Sequence, residues 1–265
     1  MRIGVYFIAG CYAIAAVPLG INIANNFNSK GKDTSSKSSA SPAKELPPEA
    51  AHDNAVFSAM IDYLEEKVGL SDYDTTALED QAYIEYDENG NYTECIAQLP
   101  FKNKEHFSAP SGSIRLNGNV EVTPDKTTVG YLLGCGYSLA EGTPISLESG
   151  KSISIHLFYN SKAVSACVEN NSSSSLRISN CVITSVYLYP STDVGFNYQG
   201  LNNGSDMDDI LSVLRKPNSY IYLYSSNDYN EISFRYSYAD GTDFLLDFEY
   251  VYSTKRTKLK IFTIG

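Results

Sequence analysis

Glu231-Ile-Ser-Phe-Arg-Tyr-Ser-Tyr238 is the stretch that decides the fold. Ile232, Phe234, Tyr236 and Tyr238 alternate with Ser233, Arg235 and Ser237, a period of two that belongs to a strand. One apolar and one polar face are what an antiparallel sheet shows when it is covered on one side only. Downstream, Asp240-Gly241 supplies a turn, followed by the strand candidates Phe244–Tyr252 and Lys258–Ile264. Upstream, Tyr220–Tyr224 is a fourth strand. Asp206–Leu214 before it reads as a short helix with Ile210, Leu211 and Leu214 on one face. Ser205 is the candidate N-cap with Asp208 at the third position, and Lys216-Pro217 stops the helix. The acids Asp206, Asp208 and Asp209 could suggest a metal, but carboxylates in a first helical turn are favoured by the macrodipole alone.

The preceding segment follows the same plan. Thr127–Leu133 predicts a short helix with Val129, Leu132 and Leu133 inward. The strand candidates Ile145–Leu147, Ser152–Tyr159, Ala163–Glu169 and Arg177–Tyr189 come after it. Ile153, Ile155 and Leu157 alternate with Ser154 and His156, which sends His156 to solvent or to a rim, and no residue at useful spacing completes a catalytic pair with it. Residues 127–189 and 205–264 thus each read as helix then strands, the pattern of a two-module duplication with slight residue identity. Ser113–Val122 is a further strand candidate. Earlier still, Asp53 or Asn54 can cap a helix to about Val68, with Val56, Met60, Tyr63, Leu64 and Lys67/Val68 on one face and Gly69 at its end. A hairpin follows: Ala82–Tyr86, the turn Asp87–Gly90, then Tyr92–Leu99. Asp87, Asn89 and Asn91 have the opening spacing of a calcium loop, but position twelve would be Gln98, so a plain turn is the better reading.

The amino terminus is of another kind. Arg2 precedes the apolar run Gly4–Ala24, whose 21 residues reach about 31 Å as a helix, enough for a membrane core. No good small-x-small cleavage site follows, so the run reads as an uncleaved anchor. A cleaved signal peptide, or acylation of Cys11 in the lipobox-like Ile8-Ala9-Gly10-Cys11, stays open. Residues 25–50 are rich in Ser, Lys and Pro, a linker with too little apolar surface to offset its ordering entropy.

Cys95, Cys135, Cys167 and Cys181 lie beyond the anchor, none in a CxxC pair, and His52, His106 and His156 are scattered, which speaks against zinc. An even count behind an export segment suggests two disulfides. Cys167 and Cys181 flank the polar loop Glu169–Ser175 on consecutive strands and form the expected pair, leaving Cys95 with Cys135. Four buried free thiols are the alternative. Asn91-Tyr-Thr, Asn171-Ser-Ser and Asn203-Gly-Ser match the N-glycosylation pattern, which matters only in a eukaryotic secretory pathway.

The chain has 265 residues, 20 Lys and Arg against 31 Asp and Glu, and a formal net charge of −11. Residues 1–54 carry five basic and four acidic side chains, so the rest is more acidic still. Such a body repels phosphate backbones and speaks against nucleic-acid partners. With 43% hydrophobic and 19% charged residues it can bury a core. Tyr at 21 and Trp at zero suit β-structure. There is no G-x-S-x-G, and the S-x-x-K matches at Ser29–Lys32 and Ser41–Lys44 fall in the linker. Neither phosphate-cradling glycine motif occurs. No residue is therefore assigned as catalytic, cofactor-binding or metal-binding.

Gly200-Leu-Asn-Asn-Gly-Ser-Asp-Met-Asp-Asp-Ile-Leu-Ser-Val-Leu-Arg-Lys-Pro217 resembles the G-S-x-x-x-D-[IV]-x-x-x-[LF]-G-x-P segment of small bacterial envelope lipoproteins. That group includes the outer-membrane assembly lipoproteins and the β-lactamase-inhibitor-protein-like helix-plus-sheet modules. Tyr222, Tyr224, Phe234, Asp240-Gly241 and Leu246–Phe248 follow the same likeness. Gly136-Tyr-Ser-Leu, Leu147–Ile155 and Ser179-Asn-Cys181-Val are similar to surface proteins of Gram-positive anaerobes. Lys216 stands where the group has glycine. The resemblance covers about residues 113–264 and implies a binding or scaffold module, with no catalytic residues to carry over.

The expected fold class is α+β, an N-terminal membrane helix followed by short helices packed on antiparallel sheets. The expected divisions are 1–24 anchor, 25–52 linker, 53–110 helix plus hairpin, 111–195 β-rich module and 196–265 helix plus sheet. The expected function is a membrane-anchored, extracytoplasmic binding protein of the bacterial cell envelope, single-pass and without catalysis. Its partner would be an envelope protein or glycan, met by a face carrying Tyr222, Tyr224, Tyr236 and Tyr238. An envelope hydrolase or transferase with a carboxylate or serine site is the alternative; two close carboxylates with raised pKa in an electronegative cleft would mark it.

Overall fold

A computed structural model of the chain describes residues 48–79, 84–86, 92–103, 108, 113–226 and 228–265. It is α+β, and every strand pairing among the described residues is antiparallel. Its helices are α1 (Pro48–Val68), α2 (Thr76–Glu79), α3 (Val129–Gly134) and α4 (Met207–Leu214). The strands are β1 (Ile84–Tyr86), β2 (Tyr92–Pro100), β3 (Ile114–Leu116), β4 (Val120–Val122), β5 (Ser138–Leu139), β6 (Ser146–Leu147), β7 (Ser152–Tyr159) and β8 (Lys162–Glu169). They continue as β9 (Leu176–Arg177), β10 (Val182–Leu188), β11 (Phe196–Tyr198), β12 (Leu201–Asn202), β13 (Tyr220–Ser226), β14 (Asn230–Ser237), β15 (Asp243–Val251) and β16 (Arg256–Ile264). Ten of them form one sheet in the order β1-β2-β13-β14-β15-β16-β10-β8-β7-β5. Strands β12-β11-β3-β4 make a small second sheet, and β6 pairs with β9. Residues 46–265 are one compact unit.

Strand β14 behaves as its alternation requires. Ile232, Phe234 and Tyr236 are fully buried, and they stand opposite Phe248, Leu246 and Phe244 of β15. The same face runs through Ile221 and Leu223 of β13, Phe262 and Ile264 of β16, Val186 and Leu188 of β10, and Ile155 and Leu157 of β7. Onto it pack α1, with Phe57, Met60 and Leu64 inward, α4, with Met207, Ile210 and Leu214, and the small sheet. Phe196 and Tyr198 of that sheet bring their rings to 4.6 Å and 6.2 Å from Phe262. Buried tyrosine hydroxyls find backbone acceptors: Tyr73 donates to the Pro217 carbonyl at 2.7 Å and Tyr236 to that of Arg215 at 2.9 Å. A buried polar tip thus comes without an orphaned hydrogen bond.

Several element ends differ from the sequence reading. Helix α1 begins at Pro48, so Asp53 and Asn54 lie inside it; proline fits a first turn, where no amide partner is needed. The cap of α4 is Asp206, which accepts from the Asp209 amide while Asp209 reciprocates, and Ser205 instead accepts from the Asn202 amide. Ser113–Val122 is not one strand but the hairpin β3–β4, because Asn117 and Gly118 take positive φ of 48° and 84°. Asp87–Asn91 lies outside the described residues. So does Gly4–Ala24; among the described residues no helix is long and apolar enough to cross a membrane.

On either side of the β10–β16 junction four strands follow in the same order, β5, β7, β8, β10 and β13, β14, β15, β16, and β2 and β1 extend the sheet beyond β13. In each half a capped helix is followed by four strands of this sheet that step toward the junction, and the last strands, β10 and β16, pair with each other. Thr128 caps α3 as Asp206 caps α4. Each set of four strands also has an irregularity at the same place. Thr184 is the extra residue between Ile183 and Ser185 opposite β8, and Lys260 is the extra residue opposite Asp247 and Phe248 of β15. This alignment sets Ser154 and Cys167 against Ser233 and Asp247, since both pairs lie opposite each other on corresponding strands.

Candidate functional site

The helices and the small sheet occupy one face of the large sheet, so chemistry is sought on the second. Register assigns its residues. Gln98, Tyr222, Ser233, Asp247 and Ile261 form a row across β2, β13, β14, β15 and β16. Ile96, Tyr224, Glu231 and Glu249 form the neighbouring row, ending on Lys258. On the other side Tyr220, Arg235, Leu245, Thr263 and Tyr187 form a third. Most of these side chains are half-buried by one another.

Asp247 sits in the middle of this face with 8% of its surface exposed. Burial pushes its carboxyl up to about 8, the neighbouring Glu231 pushes the same way, and a hydrogen bond with Ser233 works against both. Ser233 Oγ also donates to Glu231 Oε1 at 2.9 Å. A hydroxyl has one proton to give, so Glu231 and Asp247 compete for it once Asp247 is ionised. Two of the face's cations are engaged elsewhere: Lys260 Nζ lies 2.8 Å from Glu249 Oε2, and Arg235 Nη2 lies 3.0 Å from Asp243 Oδ2. Lys260 is the bulge residue, and the bulge is what aims it at Glu249. Burial raises Tyr222 and Tyr229, and Glu231 adds to both. Thr263 Oγ1, also buried on this face, has no hydrogen-bond partner among the described residues.

The four tyrosines of the expected binding surface do not share a face. Tyr222 and Tyr224 lie on the second face; Tyr236 and Tyr238 lie in the core, with their hydroxyls on the carbonyls of Arg215 and Leu214. The pairing of Tyr222 with Ser233, the polar partner in β14's alternation, sets this division. The expected disulfides are corrected as well: no disulfide joins any of Cys95, Cys135, Cys167 and Cys181. Cys167 lies on the second face opposite Ser185, whereas Cys181 is buried in the core with its thiol toward the Arg177 carbonyl. Cys95 belongs to β2, near one edge of the large sheet, and Cys135 ends α3 in the other half. Burial pushes the Cys167 and Cys181 thiols up.

His156 is exposed, its Nδ1 2.8 Å from Ser165 Oγ. Asn203 of the third glycosylation triplet is engaged by its own backbone surroundings, its amide donating to the Pro190 and Val194 carbonyls and its oxygen accepting from the Phe196 amide. Among the described residues no group of three His, Cys, Asp or Glu is placed to hold a metal ion. Two shallow depressions, of about 460 Å³ beside Ile61, Leu70 and Leu78 and about 290 Å³ beside Arg115 and Gln199, both exclude Asp247. Sequence reasoning missed Asp247; the one local trace of it is a lone acid in Phe244-Leu-Leu-Asp-Phe248, which marks the residue but not its depth.

No family model matches the chain, no curated protein matches it, and no solved structure matches it.

Proposed function

We propose that this chain is a membrane-anchored, extracytoplasmic binding protein of the bacterial cell envelope that meets a protein partner through the second face of its large sheet. The observation that carries this reading is the contrast between the two halves. Their common order, caps and bulge positions are what an ancestral duplication would leave. At the position where one half carries the thiol of Cys167, the other carries the buried acid Asp247. Burying a carboxyl is costly, and the corresponding position shows that the fold works without one. A group kept against stability, amid half-exposed tyrosines, suits recognition. Anchoring and an extracytoplasmic location rest on the apolar run Gly4–Ala24 and on the likeness of residues 200–217 to envelope lipoproteins.

A photo-reactive phenylalanine in place of Tyr224 or Gln98, irradiated in native cells, tests the reading. The expected result is one adduct of constant mass from both positions and none from Ile145 or Tyr131, which are exposed away from this face. Adducts from all four positions alike, or from none, would contradict it. Catalysis by an envelope hydrolase is the second reading. The observation in its favour is the raised carboxyl of Asp247 beside Glu231, the arrangement of a general acid.

A further inference from the structure

We infer that Asp247 is the seat for a cationic side chain, a lysine or arginine of a protein partner, on the second face of the large sheet. This deepens the binding reading and rests on it.

The surroundings of Asp247 select the sign of the ligand. Glu231 and Glu249 flank it on one side, and Ser233 stands directly opposite. The cations within reach of this face, Lys260 and Arg235, are held by Glu249 and Asp243, and Lys258 stands opposite Glu249 at the edge of the second row. A buried acid with Lys260 and Arg235 committed to other acids is completed by a charge brought from outside. The tyrosines supply the walls. Tyr222 shares the row of Asp247, and Tyr229 and Tyr189 are close enough to feel its charge. Aromatic rings attract an ammonium or guanidinium through their faces. Thr263 Oγ1, buried and without a partner among the described residues, lies one row over on the same face and can accept from a donor-rich group such as guanidinium. A bare metal ion fits less well, since no three ligands converge among the described residues.

Proton linkage gives the inference a signature. The carboxyl holds its proton below about 8, and a cation seats on the carboxylate, so binding drives the proton off. Affinity therefore rises with pH up to that value and levels above it. The groups facing Asp247 are Glu231 and Ser233 from β14, Tyr222 from β13, Glu249 on its own strand, Lys260 and Ile261 from β16, and Tyr189 and Tyr229. Glu231, as a second acid, sets how high the transition lies.

The probe is an amidated octapeptide of alternating arginine and alanine, titrated into the full-length chain by calorimetry at pH 6 and pH 9. Wild-type affinity is expected to rise about tenfold or more across that range. Asp247→Asn should remove the rise and weaken binding at pH 9 about tenfold. Glu231→Gln should keep binding and move the midpoint to lower pH, which reads the same linkage without touching Asp247. A matching glutamate–alanine octapeptide should not bind. Wild-type affinity and pH profile in Asp247→Asn, or no binding by the wild type at any pH, would overturn the inference. If adducts still form from Tyr224 and Gln98 in that case, the binding reading stands and only the cation seat falls. No adducts from those positions, whatever the peptide signal, would overturn the binding reading and the inference with it.

Discussion

Phe262→Ala is expected to destabilise the protein by about 3–5 kcal/mol, the usual cost of emptying a buried aromatic site. Phe262 is fully buried and lies on β16, the strand where the two halves of the sheet join. Its ring is 4.6 Å from Phe196, 6.0 Å from Phe244 and 6.2 Å from Tyr198, so one cavity would loosen both sheets. With a urea slope of ~2–3 kcal/mol/M, the unfolding midpoint should fall by about 1–2 M. Phe158→Ala is the control: that ring is 38% exposed on the second face, and its loss should change stability by less than about 0.5 kcal/mol. Equal effects from the two substitutions would mean that the core does not lie where the alternation of β14 puts it.

The second large effect concerns pH. The folded-state carboxyl of Asp247 is raised to about 8 from an ordinary 3.8. Below pH 4 it is protonated in both folded and unfolded chains and makes no difference. As pH rises from 4 to 8 the unfolded chain releases the proton while the folded chain keeps it, so stability falls through that window and levels above it. At 1.4 kcal/mol per unit the full amplitude is on the order of 6 kcal/mol. Asp193, raised by burial, adds in the same direction. Asp247→Asn should therefore flatten most of the decline and make the protein more stable than wild type at pH 8, with little difference at pH 4. Thermal unfolding of both proteins at pH 4, 6 and 8 measures this. A wild type whose stability rises over the window would show that the carboxyl is ionised and paired instead.

Both predictions turn on one strand being readable and its neighbours being less so. In β14 the polar partners Ser233, Arg235 and Ser237 mark the face unambiguously, and Ile232, Phe234 and Tyr236 are buried as that pattern requires. In β13 both alternating sets are apolar or aromatic: Ile221 and Leu223 on one side, Tyr220, Tyr222 and Tyr224 on the other. Only the pairing Tyr222–Ser233 shows that these tyrosines face away from Tyr236, and pairing register is a long-range property. The hairpin of β3 and β4 was legible in Asn117-Gly118-Asn119, since Asn-Gly favours positive φ at both turn positions. The depth of Asp247 was not legible, because it arises from side chains on β13 and β14 and from a bulge at Lys260, all brought together by the sheet. The cysteines mislead for the same reason: Cys167 and Cys181 flank one loop but point to opposite faces.

The measurement that bears most directly on this account is hydroxyl-radical footprinting of the full-length protein, read tyrosine by tyrosine in the mass spectrometer. Reaction then follows exposure rather than ionisation. The account predicts labelling of Tyr220, Tyr222 and Tyr224, which are half-buried on the second face, with exposed Phe158 as the reference. It predicts protection of Tyr73, Tyr198 and Tyr236, which are buried at 1% exposure or less. Protection of the β13 tyrosines to the level of Tyr236, or labelling of Tyr236 to the level of Tyr224, would contradict a sheet with one sealed and one accessible face.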